Sequence, residues 1–230
     1  VFNRKRAPFN DPRARQAFVL GLDNTQVMGA AFASEDFYRL DPGILFQEQS
    51  QWWSKADGGV YDKRDLERAK ALLKESGYTG QPIKWLTTRE YDFMYKNALV
   101  ATEQLKAIGF NIQLEVVDWA TIVQQRNNPQ AYDIFSGATT FTPDPGVWPC
   151  FDAAWPGFWE DAKKDELVRK LNTEMDGKKR FGVWEELQTH FWDQAPMAKF
   201  GDFFILGVKN VDVKNVAATP FPFYWNAWKK

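Results

Sequence analysis

The chain has 230 residues, which suits one large domain or two small ones, and an apolar share of 44% supplies a sizeable core. A net charge of −1 gives no electrostatic reason to expect nucleic acid or an anionic membrane as partner. No apolar run approaches the roughly 20 residues of a membrane-spanning helix, and the single cysteine, Cys150, excludes an internal disulfide.

The opening VFNRKRAPFN lacks the apolar stretch of a signal peptide, so the sequence reads as cytosolic or as one whose start has been removed. DPRARQAFVL (11–20) places Asp at an N-cap and Pro at the first helical position, which predicts a helix start. A second helix is expected at DNTQVMGAAF, and 34–61 reads as a long irregular segment. In DKRDLERAKALLKESG, Asp62 is the expected cap and Leu66, Ala69 and Leu73 recur at helical spacing until Gly77. IKWLTT (83–88) predicts a strand, 92–108 a helix with Met94, Ala98, Ala101, Leu105 and Ile108 on one stripe, and NIQLEVV (111–117) a second strand. Asp118 then caps WATIVQQR, and YDIFSGAT (132–139) is the third strand. Two helical runs follow at about 161–175 and 178–194, then one or two strands in PMAKFGDFFILGVKNVDV. The aromatic tail PFPFYWNAWKK has no helix pattern.

Strands alternating with helices over 83–139 argue for a parallel sheet with right-handed crossovers. Ligands on such sheets sit off the carboxyl ends of the strands. Two loops with unusual chemistry leave those ends: TTREYDF after the first strand, and SGATTFTPDPGVWPCFDAAWPGFW (136–159) after the third. The 11 Trp and 19 Phe either fill a core rich in large rings or line a shape-selective cleft wall.

Catalytic machinery is hard to find. His190, the only histidine, falls in a predicted amphipathic helix with no nucleophile pattern beside it, and a zinc site would need more His or Cys. No Walker A loop or dinucleotide fingerprint is present. Asp144 and Asp152 offer a pair of loop carboxylates, and hydrolysis by them is the competing reading. Asp144 stands between two prolines, so it either aims a carboxylate at a ligand or accepts amides within its own turn. Arg89, just past a strand end, is placed to clamp a carboxylate bidentately or to lie on the surface. Thr139, Thr140 and Thr142 offer hydroxyls beside Phe141.

FNRKRAPFNDPRARQAFVLGLD, DLERAKALLKESGY, LKAIGFNIQLEVVDWATIVQQR, YDIFSGA followed by DP, and WEELQTHFWDQAP resemble, in order, segments of the family 5 periplasmic solute-binding proteins of ABC importers. The resemblance implies a type II periplasmic-binding-protein lobe of α/β class: a central, mainly parallel sheet flanked by helices. It implies the C-terminal part of a longer two-lobed protein, with 1–2 in the hinge, 3–210 in the second lobe and 211–230 as a tail returning to the first lobe. It also implies no enzymatic activity, no cofactor and no metal. The implied partners are a small-molecule or peptide ligand, an ABC permease in the membrane and the first lobe, with a periplasmic location. A ligand-sensing accessory without transport is a second alternative.

In dipeptide-binding relatives an Arg after the first strand pairs with the ligand carboxylate, and Arg89 matches it. Those relatives hold the ligand's amino terminus with an acidic residue in a Gly-Trp-Thr-Gly-Asp pattern. Here Gly137 is kept, Ala138 replaces the Trp, and Phe141 stands where that Asp would be, which turns the expectation towards a larger peptide, an opine or a non-peptide ligand. A nickel-type ligand is less well matched because the loops hold no histidine. The resemblance therefore nominates Arg89 for an anionic group, Phe141 and Trp148 for an apolar wall, and Thr139, Thr140 and Asp144 for polar contacts.

Overall fold

The computed structural model describes every residue except 218 and 220–222. Asp11 and Asp23 cap the first two helices, α1 (Pro12–Leu20) and α2 (Asn24–Phe32), each accepting a backbone N–H of the first turn. The irregular segment from 34 to 61 carries one short strand, β1 (Tyr38–Arg39). The next helix, α3 (Leu66–Glu75), is capped by Asp65 and not by Asp62. Asp65 directly precedes the first helical residue, so its carboxylate reaches the Arg68 amide at 2.9 Å. Asp62 instead adopts a left-handed φ of 52°.

The expected alternation follows as β2 (Ile83–Thr87), α4 (Asp92–Lys106), β3 (Ile112–Val116), α5 (Trp119–Gln125) and β4 (Ile134–Phe135). Gly109 supplies the positive φ, 107°, that ends the turn after α4. The three strands form a parallel sheet in the order β3-β2-β4, and Trp85 of β2 faces Leu114 on one side and Ile134 on the other. β4 is shorter than its alternating pattern suggests, with only Ile134 and Phe135 on the ladder. Phe2 adds an isolated antiparallel bridge to Ile134, so the start of the chain lies beside β4.

Period-two alternation splits the central strand between two cores. Ile83 and Trp85 join a cluster with Phe2, Phe9, Phe18 and Phe110, packed by α1, α3 and α4. Its rings meet at 4.7 Å for Phe2–Phe9 and 5.8 Å for Phe18–Trp85, within the range that favours offset and edge contacts. Leu86 points to the opposite face, with Ile122, Tyr132 and Phe135.

A third cluster lies between α6 (Ala162–Thr173), α7 (Gly177–Gln194) and the loops before them. Five of the 11 tryptophans go there: Trp52, Trp148, Trp159, Trp184 and Trp192 are all buried. Arg15, fully buried, ties this cluster to α1. Its guanidinium donates to the Gln194 and Ala195 carbonyls at the end of α7, at 2.9 and 3.2 Å, where a cation also suits the helix dipole.

Beyond α7, β5 (Asp202–Phe203) pairs antiparallel with β1. The chain then leaves the core: Ile205, Leu206, Val208 and Val211 are exposed. A last antiparallel pair joins β6 (Val213–Lys214) to β7 (Trp228–Lys229). Of the aromatic tail 220–230, positions 220–222 lie outside the described residues.

Candidate functional site

β2 and β4 are parallel neighbours, so the loops that follow them leave the same edge of the sheet. That edge is pinned from within. The Ser136 amide donates to the Leu86 carbonyl at 2.8 Å, and the Ser136 hydroxyl donates to Thr87 Oγ1 at 3.1 Å while accepting from Trp85 Nε1 at 3.0 Å. β3 joins through the Val117 amide, which donates to the Thr87 carbonyl at 2.9 Å. Buried, fully connected polar contacts of this kind fix the positions of what comes after them.

Arg89 emerges from this base and is exposed. Its guanidinium lies over the Tyr95 ring, 4.4 Å from the centroid, and donates to the Tyr95 hydroxyl at 3.1 Å. Tyr95 is on the first turn of α4, so the arginine is steered by a ring and a hydroxyl without being neutralised. No carboxylate lies within 4.0 Å of it among the described residues.

Two further aromatics flank the edge. Tyr91, 43% exposed, is the N-cap of α4, and Trp119 is the first residue of α5. Their rings meet edge to face at 5.2 Å. From Tyr91 the aromatic contacts continue through Phe93 to Phe203 and Phe32. Tyr91, Tyr95 and Trp119 were not among the residues nominated from the sequence. The signal was available for Tyr91 and Trp119, which closely follow the carboxyl ends of β2 and β3, whereas Tyr95 lies further on, inside α4.

The nominated residues of the second loop divide. Thr139 and Thr140 are exposed on the same edge as Arg89, and Phe141 is half-buried. The loop is tethered at Thr142, whose carbonyl accepts from Gln49 Nε2 at 2.7 Å. Asp144 and Trp148 serve the fold. Asp144 accepts two hydrogen bonds from Arg180, both at 2.7 Å, and a third from the Gly146 amide at 2.8 Å. The Arg180 guanidinium and the turn amide hold the Asp144 carboxyl below the usual range, against a burial that raises it. Trp148 packs on Phe151 and Phe191 inside the helical core and does not face a cleft. Asp152, the other carboxylate of the hydrolase reading, accepts the Ala154 amide at 2.8 Å.

His190 has a structural setting. Its Nε2 lies 2.9 Å from Asp161 Oδ1, and its ring stacks on Trp159. Asp161 is also the N-cap of α6, so one carboxylate joins α6 to α7.

Comparison with known proteins places this geometry. Residues 1–157 match the model for the middle portion of bacterial extracellular solute-binding proteins, family 5. The chain belongs to that family. It is 25% identical over 99% of its length to a probable peptide ABC transporter periplasmic-binding protein, y4tO, of Sinorhizobium fredii, covering 45% of that protein. It is also 25% identical, over 85% of its length, to a probable deoxycholate-binding periplasmic protein of Escherichia coli, YgiS, covering 38% of it. A Pseudoalteromonas dipeptide-binding protein crystallised with Met-Leu superposes on all of the chain with a TM-score of 0.81 at 24% identity, over 47% of its own length. The fold is thus that of a type II periplasmic binding protein, and the chain spans about half the length of the relatives it matches.

Proposed function

We propose that this chain is the second lobe of the solute-capturing component of an ABC importer. The observation that carries the reading is the unneutralised Arg89 guanidinium at the shared carboxyl edge of β2 and β4. Arg89 holds an anionic group of the solute, and Thr139, Thr140 and Phe141 complete this half of the cleft. The solute is peptide-like or a related small molecule, in keeping with relatives described as peptide-binding and deoxycholate-binding. Capture is non-enzymatic: two lobes close about a hinge, and contacts to both stabilise the closed state. The protein works outside the cytoplasm and delivers its solute to a membrane permease. The first lobe lies in sequence beyond this chain, and the tail 211–230 returns to pack on it. The exposed Tyr224, Trp225 and Trp228 support that placement, because isolated apolar surface of this extent calls for a partner.

A thermal-shift screen of the full-length protein against peptides, opines, sugars and metal ions tests the reading. A solute at 100 times its dissociation constant stabilises by about 2.7 kcal/mol, seen as a shift of a few degrees. A hit weakened by Arg89→Ala is the expected result. A hit indifferent to Arg89 sinks the site assignment, and silence from every class in folded, ligand-stripped protein counts against solute capture.

A further inference from the structure

Three buried hydrogen-bond donors beside α7 have no partner among the described residues: Arg4 Nη1, Arg15 Nη2 and Trp159 Nε1. Buried polar groups are almost always hydrogen-bonded, so a cluster of orphans calls for an occupant. The three come from different parts of the chain and meet on one face of the helix. The Trp159 ring stacks on His190, and Arg15 Nε donates to the carbonyl of Gln194, one turn further along α7. The Arg4 guanidinium lies over the Trp159 ring, 5.8 Å from its centroid. Burial, and then the like charge of Arg4, hold the Arg15 guanidinium down to about 9, so each cation sits in the other's field.

Neither guanidinium forms an ion pair among the described residues. The carboxylates whose charge reaches Arg4 are engaged elsewhere: Glu160 with Lys5 at 3.1 Å, and Asp161 with His190 at 2.9 Å while it caps α6. Arg15 gives its other donors to neutral carbonyls, Nε to Gln194 and Ala195 and Nη1 to Phe9. Lys164, whose ammonium is also over the Trp159 ring, is paired with Asp165. Asp161 offsets one of the two guanidinium charges at longer range, which leaves one positive charge uncompensated inside the fold, at a cost. The orphans are also all donors. A water accepts from two of them and still has its own two hydrogens to place, whereas a spherical anion accepts from all three and supplies the missing charge. Arg4 is half-buried, which leaves a way in from solvent.

We propose that Arg4, Arg15 and Trp159 form an internal binding site for a small monovalent anion of halide type, chloride foremost. The bound anion ties the start of the chain, α1 and the loop before α6 together against α7. None of the three residues belongs to the Arg89 edge, so the site is independent of the solute.

The test uses the full-length protein and two readouts. Crystals soaked in bromide are expected to show an anomalous peak in contact with Arg4 Nη1, Arg15 Nη2 and Trp159 Nε1. The melting temperature is expected to rise by a few degrees and then saturate as chloride or bromide replaces gluconate at constant ionic strength, because only an anion that fits binds the folded state. Arg4→Leu and Trp159→Phe, each checked for native circular dichroism, are expected to lose that rise. If both variants fail to fold, the bromide peak and the halide-specific rise of the wild-type protein decide. Water alone at this spot in bromide-soaked crystals overturns the proposal. So does a melting temperature that follows ionic strength whichever anion supplies it, and so does a halide-specific rise that survives Arg4→Leu. A bromide peak with no halide-specific rise means binding at crystal concentration only, and overturns it too.

Discussion

Arg180 grips Asp144 through two nearly parallel hydrogen bonds, Nη1 to Oδ2 and Nη2 to Oδ1, each 2.7 Å long. The same guanidinium lies over the Trp52 ring, 4.6 Å from its centroid, and donates through Nε to the Leu171 carbonyl at 2.8 Å. One side chain of α7 thus locks the loop after β4, the end of α6 and the loop carrying Trp52 together.

The pair should therefore show measurable coupling. A double-mutant cycle on Asp144→Asn and Arg180→Gln is expected to give about 1 kcal/mol, towards the upper end for a partly exposed pair because the geometry is bidentate. Urea unfolding of the four proteins reads it. Additivity within error would mean the contact contributes nothing net.

The pH dependence of that pair has a definite sign. The Asp144 carboxyl is held below its ordinary range, so its contribution is fully present above the unfolded value of about 3.9 and fades as pH falls through the lower folded value. The stability gap between wild type and Asp144→Asn is expected to be constant near neutrality and to close in acid. A gap that widens in acid would contradict the assignment.

Trp148 is expected to behave as core. Replacing it by Ala should cost about 3–5 kcal/mol, the range for emptying a large buried ring site, given its contacts with Phe151 and Phe191. Solute affinity of the folded fraction should not change. A stable variant with lost binding would return Trp148 to the cleft.

Cys150 offers a reporter of unfolding. Burial pushes its thiol well above the ordinary range, and only the thiolate reacts readily. Alkylation in native buffer is expected to be slow and to accelerate sharply across the urea transition. Rapid labelling of native protein would show that the helical core around Cys150 opens locally.

Much of this was legible in the sequence because the deciding signals are local. The stripe Met94–Ala98–Ala101–Leu105 and the alternation of 111–117 gave α4 and β3 nearly to the residue. Asp118 sat directly before an apolar run and caps α5 as expected. Asp62 failed as a cap because Asp65 stands nearer the first helical residue, and position decides capping between two equivalent side chains. The fates of Asp144 and Trp148 were not legible. Asp144 meets a partner 36 residues away, and Trp148 meets Phe191 across the helical core, and no periodicity encodes such pairings. Arg89 was found from its place after a strand, but its clasp on Tyr95 depends on how α4 turns away from β2.

The most direct measurement is hydrogen exchange on the full-length protein with and without a saturating solute from the screen. Slowed exchange is predicted in 88–91 and 137–142, with α6 and α7 unchanged, because contacts at the carboxyl edge restrain those two loops first. Protection confined to α6, α7 or the tail, with both loops exchanging as before, would contradict the claim that the solute is held at the edge Arg89 shares with Thr139 and Thr140.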